Sequence, residues 1–143
     1  MAAVACGASH QSPDLQTSRQ YSHSYVTTGC GPTDAPIVLL FFLDSREKAV
    51  RPLGKHIRIQ LSSVEDLSHR MLRWPGNRPL ASVARCTSVD SCESATEGQI
   101  VFGTAKPGKT YDGELDVTFA NGERVRKAFQ APWWRPRPLY LCG

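Results

Sequence analysis

Short apolar stretches, some alternating and some continuous, dominate this chain, and they favour strands over helices. Residues 37–43 form a run of seven apolar side chains, which at this length indicates a strand buried on both faces. Because such a strand would promote aggregation at a sheet edge, we expect it to lie centrally. Over residues 56–61, Ile57, Ile59 and Leu61 alternate with polar side chains, as in a half-buried strand. Both patterns predict a mainly β domain.

The clearest turn signal is Asn121-Gly122, which lies between two further alternating stretches. A three-residue loop that ends at Gly122 places this glycine where a left-handed conformation is needed. That loop also separates apolar from charged faces, and the hydrophobic pattern decides register. The predicted pairs are Val117 with Val125, Thr118 with Arg124, Asp116 with Arg126, and Leu115 with Lys127. We therefore predict an antiparallel hairpin with this register.

Weaker patterns complete the predicted fold. Residues 80–86 and 99–103 read as further strands. Residues 64–73 are the one stretch with helical periodicity, because apolar side chains recur on one face and Pro75-Gly76 follows. We predict an antiparallel β-sandwich or small barrel of about six to eight strands, with one short helix and disulfide bonds.

Length and charge limit the functional classes. The chain has 143 residues, the size of a single domain. Seventeen Lys and Arg against 13 Asp and Glu give a net charge of +4, which is modest for a protein that binds nucleic acid. Residues 1–24 are rich in Ser, Gln and His, as in a disordered tether. We expect one β-rich domain over residues 25–143 and no nucleic-acid partner.

Five cysteines are many for a cytosolic domain of this size, because cytosolic thiols are kept reduced. Spacing alone does not choose among the pairings that they permit. We predict Cys86–Cys92, which closes a short polar loop, and Cys30–Cys142, which fastens the last strand to the first. No Cys-x-x-Cys or His-x-His spacing is present, so we expect no metal and no cofactor. The predicted disulfides indicate a compartment outside the cytosol.

The sequence around Cys6 is a second indication of export. Ala3-Val4-Ala5-Cys6-Gly7 resembles the end of a bacterial lipoprotein signal, in which small residues precede the lipidated cysteine. The resemblance covers these five residues, and Ala3 stands where Leu is commonest. It implies that a basic start and an apolar segment lie upstream of Met1, and that acyl chains on Cys6 would anchor the protein. Without that processing we expect no attachment to a membrane.

Catalytic residues are harder to identify. A nucleophilic cysteine needs a neighbouring base, and the pair Cys86 and His69 loses its thiolate if Cys86 is oxidised. Glu114 lies two residues from a second carboxylate, on a face that alternation directs outward, where ion pairs are the commoner arrangement. One alternative function is a small secreted hydrolase that uses His56, His69 and Glu114. Another is a secreted inhibitor-like module that presents residues 87–91.

An aromatic and basic cluster near the C-terminus is the candidate binding site. Neighbouring side chains of an extended segment point to opposite sides, so one tryptophan should pack inward while the other is exposed. An exposed tryptophan beside arginines can stack on a sugar ring or a peptide. The alternative is that both rings cover the end of the core, with the arginine stems over them. The candidate ligand-binding residues are Trp133, Trp134, Arg135, Arg137 and Tyr140.

These observations together predict a non-enzymatic exported domain. It would be a bacterial envelope protein or a secreted accessory domain that binds a protein or a glycan through its surface. We expect a monomer in the periplasm, at the outer membrane as a lipoprotein, or outside the cell. Contact with a membrane would come only through a lipid at Cys6, if the signal is processed.

Overall fold

The protein folds into two packed antiparallel sheets in a computed structural model that describes residues 20–76 and 78–134. This part of the chain contains nine strands and no helix. In chain order they are β1 (His23–Cys30), β2 (Pro36–Leu43), β3 (His56–Leu61), β4 (Met71–Trp74), β5 (Leu80–Ser88), β6 (Ser91–Ser94), β7 (Glu97–Phe102), β8 (Tyr111–Thr118) and β9 (Arg124–Ala131). The predicted mainly β, sandwich-like fold is confirmed.

The two sheets are joined along both sides. The larger sheet has the order β1-β2-β3-β5-β6, and the smaller has the order β4-β7-β8-β9. Between β6 and β7 the chain passes from one sheet to the other. The N–H of Ala95 donates to the carbonyl of Val83 in β5, and the N–H of Thr96 donates to the carbonyl of Thr118 in β8. On the other side, the N–H of Val26 in β1 donates to the carbonyl of Pro132, just after β9. The second junction brings the ends of the described chain together.

The main core lies between the inner faces of the sheets. Residues 37–43 of β2 are all buried, and β2 lies between β1 and β3 as the apolar run predicts. From its inner face Phe42 packs edge-to-face on Phe129 of the opposite sheet, with ring centroids 5.2 Å apart. Burial of such aromatic side chains supplies most of the driving force for pairing two sheets.

A second apolar cluster lies on the outer face of the larger sheet, and we call it the outer cluster. It consists of Tyr25, Ile37, Leu39, Phe41 and Leu43, with Trp134 packed against it. The loop after β2 contributes to its cover, because the carbonyl of Ala49 accepts a hydrogen bond of 2.6 Å from the Tyr25 hydroxyl. The larger sheet is thus buried on both faces over its first strands.

The β8–β9 hairpin has the predicted register. All four predicted pairs are present, including Val117 with Val125 and Asp116 with Arg126. The N–H of Gly122 donates to the carbonyl of Phe119, and Gly122 has a φ of 83°, in the left-handed region that favours glycine. The prediction of a three-residue loop over residues 120–122 is confirmed.

The predicted helix over residues 64–73 is wrong. The N–H of Leu67 donates to the carbonyl of Ala105 at 2.9 Å, so this segment is bonded to a distant loop and not to its own previous turn. The Asp66 carboxylate also competes with a helix, because it accepts the N–H of Ser68 at 2.9 Å in a local turn. Residues 64–70 are therefore a loop, and residues 71–73 belong to β4.

Three strands are not predicted by the sequence pattern. β1 begins at His23, and Tyr21 before it is already buried, slightly ahead of the predicted start at residue 25. β4 and β6 are each four residues long, which is too short to show a clear alternation. The rest of the predicted tether, residues 1–19, lies outside the described residues. A membrane-spanning helix is absent from residues 20–76 and 78–134.

Candidate functional site

The two predicted binding tryptophans lie at the junction of the sheets and point to opposite sides. The ring of Trp133 joins the main core and packs edge-to-face on Tyr111, with centroids 5.6 Å apart. The ring of Trp134 packs on the outer cluster and meets Tyr25 at 5.8 Å. Both tryptophans are half-buried, so each ring uses much of its surface in packing. Alternation along the segment is as expected, but Trp134 is less exposed than expected.

The other predicted members of that cluster are not described. Arg135, Arg137 and Tyr140 lie outside the described residues, as do Cys6 and Cys142. The structure thus places the tryptophans at the junction and leaves the ligand-binding role of the whole cluster as a prediction.

An open groove of about 960 Å³ runs beside this junction, and we call it the seam groove. It follows the line where β1 of the larger sheet approaches β9 of the smaller one. Residues 22–25, in and just before β1, line it together with residues 112–114 of β8 and 127–130 of β9. The loop after β2 contributes residues 46–48, and Pro132 closes the end next to the tryptophans.

The floor of the seam groove consists of two strand edges, which are linked where the Ser24 hydroxyl donates to the carbonyl of Gln130 at 2.9 Å. Val26 donates to Pro132 and accepts from Trp134, so its N–H and C=O point away from β2. Alternation directs the N–H and C=O of Ser24 to the same side. In β9 the carbonyl of Glu123 accepts from Phe119, so alternation along the ladder directs the N–H and C=O of Ala128 away from β8. No backbone partner in the described part of the chain meets these groups of Ser24 or Ala128.

The side walls of the groove carry charges of opposite sign. Arg46 and Lys48 lie on the loop wall, whereas Glu114 and Asp112 lie on the β8 wall, where one oxygen of Asp112 also accepts the N–H of Thr104 at 3.0 Å. The remaining acid of the loop wall, Glu47, is directed elsewhere, because its two carboxylate oxygens accept from the backbone N–H groups of two residues further along the loop. The loop wall is therefore cationic and the β8 wall anionic.

Lys127 links the groove to the beginning of the described chain. Its Nζ donates to the carbonyl of Gln20 at 3.2 Å. Partial burial lowers the pKa of this ammonium group, and the nearby Asp44 carboxylate acts in the opposite sense. Lys127 therefore serves to hold the start of β1 against β9 at one end of the groove.

The residues of the alternative hydrolase lie on three separate elements. His56 begins β3 and is 3 % exposed, and its Nδ1 is 2.8 Å from the carbonyl of Gly54. His69 is exposed in the loop before β4, and Glu114 is exposed on β8. No hydrogen bond joins any two of these three side chains, all of which the structure describes. The hydrolase stays a prediction without a shared site.

Two cysteine predictions have different outcomes. Cys86 and Cys92 form the predicted disulfide across β5 and β6, with their Cα atoms 4.0 Å apart. Cys30 is also disulfide-bonded, and Cys142 lies outside the described residues. The pairing of Cys30 with Cys142 therefore stays a prediction. Disulfides are consistent with an oxidising compartment outside the cytosol.

Neither metal chemistry nor relatives add to this picture. In the described ranges, 20–76 and 78–134, no group of three or more His, Cys, Asp or Glu side chains could hold a metal ion. Comparison with protein-family models, with curated proteins and with solved structures finds no match.

The sequence alone does not reveal the seam groove, because its floor forms only where Val26 is hydrogen-bonded to Pro132. These residues are far apart in the chain. No local signal reveals the groove, because polar side chains such as Ser22 and Ser24 indicate which face of a strand meets water and not whether its edge is paired.

Proposed function

We propose that this chain is an exported, non-enzymatic accessory domain that binds an extended protein segment in the seam groove. It would act in the bacterial envelope or as a secreted protein. A lipid anchor at Cys6 would hold it at the membrane if the signal is processed. A glycan is the competing ligand.

The observation that carries the proposal is that backbone groups of Ser24 and Ala128, in the floor of the groove, have no backbone partner in the described chain. An exposed edge offers a row of N–H and C=O groups, which an extended peptide can pair with as an added strand. Ser24 and Ala128 supply such groups from the two sides. A sugar would instead need an open aromatic face, and the ring of Trp134 is packed on Tyr25 and the outer cluster.

The walls of the groove add a requirement on the sequence of the ligand. Successive side chains of an extended peptide point to opposite sides. A segment that presents acidic side chains to Arg46 and Lys48 and basic ones to Asp112 and Glu114 would complement both walls. We therefore expect bound peptides to carry both signs of charge.

Peptide display on the full chain tests this proposal. A random peptide library would be selected on the wild-type protein, and the peptides obtained would be titrated against two variants. Ala128→Pro removes the free N–H from the groove, and an edge strand tolerates proline where its N–H faces solvent. Ala128→Ser is the matched control, because it changes the side chain and keeps the N–H.

The expected result is binding that is weaker by at least about tenfold for Ala128→Pro and unchanged for Ala128→Ser. Equal binding to all three proteins would place the peptides outside the groove and overturn the proposal. A glycan array that gives binding sensitive to Ala128→Pro, with no peptide selected, would assign the groove to a glycan instead.

Export and anchoring need a separate experiment on native material. The gene with its upstream sequence would be expressed in a bacterium, and the protein partitioned between detergent and water. Acylation predicts the detergent phase for the wild type and the aqueous phase for Cys6→Ser. Alkylation without reductant should leave Cys30, Cys86 and Cys92 unmodified. Peptide mapping would then show whether Cys30 pairs with Cys142. Free thiols at all these positions would overturn the export proposal.

A further inference from the structure

A small cationic pocket lies on the outer face of the larger sheet, and it shares no lining residue with the seam groove. Its floor follows from strand register. Arg58 of β3 lies opposite Phe41 of β2, and His56, two residues before Arg58, lies opposite Cys86 of β5. Because residues two apart on a strand share a face, all four side chains belong to the outer face. The ring of Phe41 packs edge-to-face on His56 at 5.6 Å.

Two loops form the walls of this cavity, which we call the arginine pocket. Its volume is about 190 Å³, enough for a small polyatomic ion and some water. The loop before β3 contributes Val50, Arg51 and Pro52, and the turn between β5 and β6 contributes Val89 and Asp90. The lining thus includes two guanidinium groups and one carboxylate, which give the pocket a net positive charge.

The charges of this pocket are not used within the described chain. Neither Arg51 nor Arg58 forms an ion pair with a described residue. The Nε of Arg58 is buried and has no hydrogen-bond partner. A buried donor without a partner costs free energy, and native proteins leave few such groups unsatisfied unless a ligand or water completes them. Seven buried polar side-chain atoms of the described chain lack a partner, and the Nε of Arg58 is the one that belongs to a charged group. Because Arg58 lines a cavity together with a second arginine, its unsatisfied donor indicates a missing acceptor.

His56 restricts what that acceptor can be. A carbonyl oxygen only accepts, so Nδ1, 2.8 Å from the carbonyl of Gly54, carries the ring proton. The side chain is 3 % exposed and lines the pocket. Nε2 is then the one polar atom that a neutral His56 can offer there, and it is an acceptor. A ligand that both accepts from arginine and donates to this nitrogen fits best.

We propose that the arginine pocket binds a phosphate group. Phosphate oxygens accept from guanidinium groups in paired, charge-assisted hydrogen bonds. A singly protonated phosphate also has one P–OH group, which donates to Nε2 of His56. Sulfate has the same shape and no proton to donate at neutral pH, so it lacks this contact. The group could be inorganic phosphate or the phosphate of a sugar or a lipid.

Titration calorimetry of the full chain with inorganic phosphate at low ionic strength tests the proposal. We expect saturable binding to the wild type. Arg58→Met should weaken it by at least about tenfold, because a charge-assisted hydrogen bond is lost. Arg51→Gln should weaken it less, because Arg51 is exposed and its guanidinium is partly screened. Asp90→Asn should tighten it. Arg73→Gln, an exposed arginine on β4, is the matched control and should leave it unchanged.

The comparison with sulfate tests the role of His56. Sulfate should bind to the wild type more weakly than phosphate does. The His56→Phe variant should bind sulfate as weakly as the wild type does, because sulfate has no proton to donate to Nε2. If Arg58→Met does not fold, Arg51→Gln and Asp90→Asn decide the question alone. No binding of phosphate at millimolar concentrations, or equal binding by Arg73→Gln and the pocket variants, would overturn the site. Equal affinity for sulfate would overturn its assignment to phosphate.

The source of the phosphate group is decided by two further probes. Glucose 6-phosphate tests a phosphorylated sugar, and phosphatidylcholine vesicles with and without phosphatidic acid test a lipid headgroup. Tighter binding of either than of inorganic phosphate, lost in Arg58→Met, would identify that source. Because the pocket and the seam groove are separate, Ala128→Pro should leave phosphate binding intact. This outcome keeps the two proposals independently testable.

Discussion

The outer faces of the two sheets present different surfaces. On the smaller sheet the outward side chains are mostly charged or polar. The carboxylate of Asp116 in β8 accepts hydrogen bonds of 2.8 and 2.7 Å from the guanidinium of Arg124 in β9. On the larger sheet the outward side chains of β2 are apolar and buried in the outer cluster. The cations beside that cluster, Arg51 and Arg58, have no ion-pair partner in the described part of the chain.

This difference separates a solvated face from a covered one. On the smaller sheet the hairpin itself supplies the partner of Asp116, because Arg124 reaches it across the strands. On the larger sheet the surroundings are apolar. The strand partners of Arg58 are Phe41 and Ala84, whose side chains have no acceptor atom for a hydrogen bond. A cation in such a place needs an acceptor from outside the sheet. Asp116 and Arg124 on one face therefore have a structural role, whereas Arg51 and Arg58 on the other face need a ligand.

The largest expected effect is on the stability of the covered face. Phe41→Ala should lower the free energy of unfolding by about 3–5 kcal/mol, because the side chain is fully buried in the outer cluster and its loss leaves a cavity. The matched control is Val101→Ala on the outer face of the smaller sheet. Val101 is 38 % exposed, so its truncation should cost about 1 kcal/mol or less.

Urea unfolding of both variants measures this comparison. Similar losses for Phe41→Ala and Val101→Ala would contradict the distinction between the faces. Such similar losses would mean that water reaches the outer cluster and that the arginine pocket is not surrounded by buried apolar side chains.

A second, smaller effect concerns the disulfide beneath the arginine pocket. The Cys86→Ser, Cys92→Ser double variant should lose about 2 kcal/mol of stability, as expected for a cross-link that closes a short loop. The turn over residues 87–91 carries one wall of the pocket, so phosphate binding should also weaken. Calorimetry with phosphate and urea unfolding would be measured on the same preparations. Unchanged stability would contradict a structural role for this bond.

The elements that the sequence predicted well are those that short-range physics determines. The β8–β9 register followed from Gly122 and from matching apolar positions, all within one hairpin. Burial of β2 on both faces followed from seven consecutive apolar residues. That same run contained an unused signal, because a strand that is apolar on both sides requires a second layer outside the sheet.

The elements that it missed depend on contacts between distant residues. Residues 64–73 have helical spacing, but the N–H of Leu67 donates to the carbonyl of Ala105, which no local pattern reveals. His56 and Arg58 alternate with apolar residues and therefore read as a solvated face, whereas His56 is 3 % exposed. The arginine pocket forms because the outer cluster and two loops, which include residues 50–52 and 89–90, enclose that face.

The smallest expected effect tests the solvated face. Hydrogen bonding to Arg124, and the nearby charges of Arg124 and Arg126, lower the pKa of Asp116 in the folded protein below its ordinary value of 3.8. A lowered folded pKa means that the ionised carboxylate stabilises the fold above the unfolded pKa, and that this contribution is lost as the pH falls through the folded pKa. Asp116→Asn should therefore cost under about 1 kcal/mol at neutral pH, since Arg124 is largely exposed and the pair is screened.

The acid dependence of that loss is the informative measurement. Urea unfolding at neutral pH and below pH 3.8 should show the difference between Asp116→Asn and the wild type shrinking on acidification. Glu114→Gln, on the same face of β8, is the control and should change stability less, because no described cation forms an ion pair with Glu114. A difference that grows in acid would mean that Asp116 is not held by the arginines of β9. In that case the charges of the smaller sheet would be as unsatisfied as Arg58, and the contrast between the two faces would no longer single out the arginine pocket.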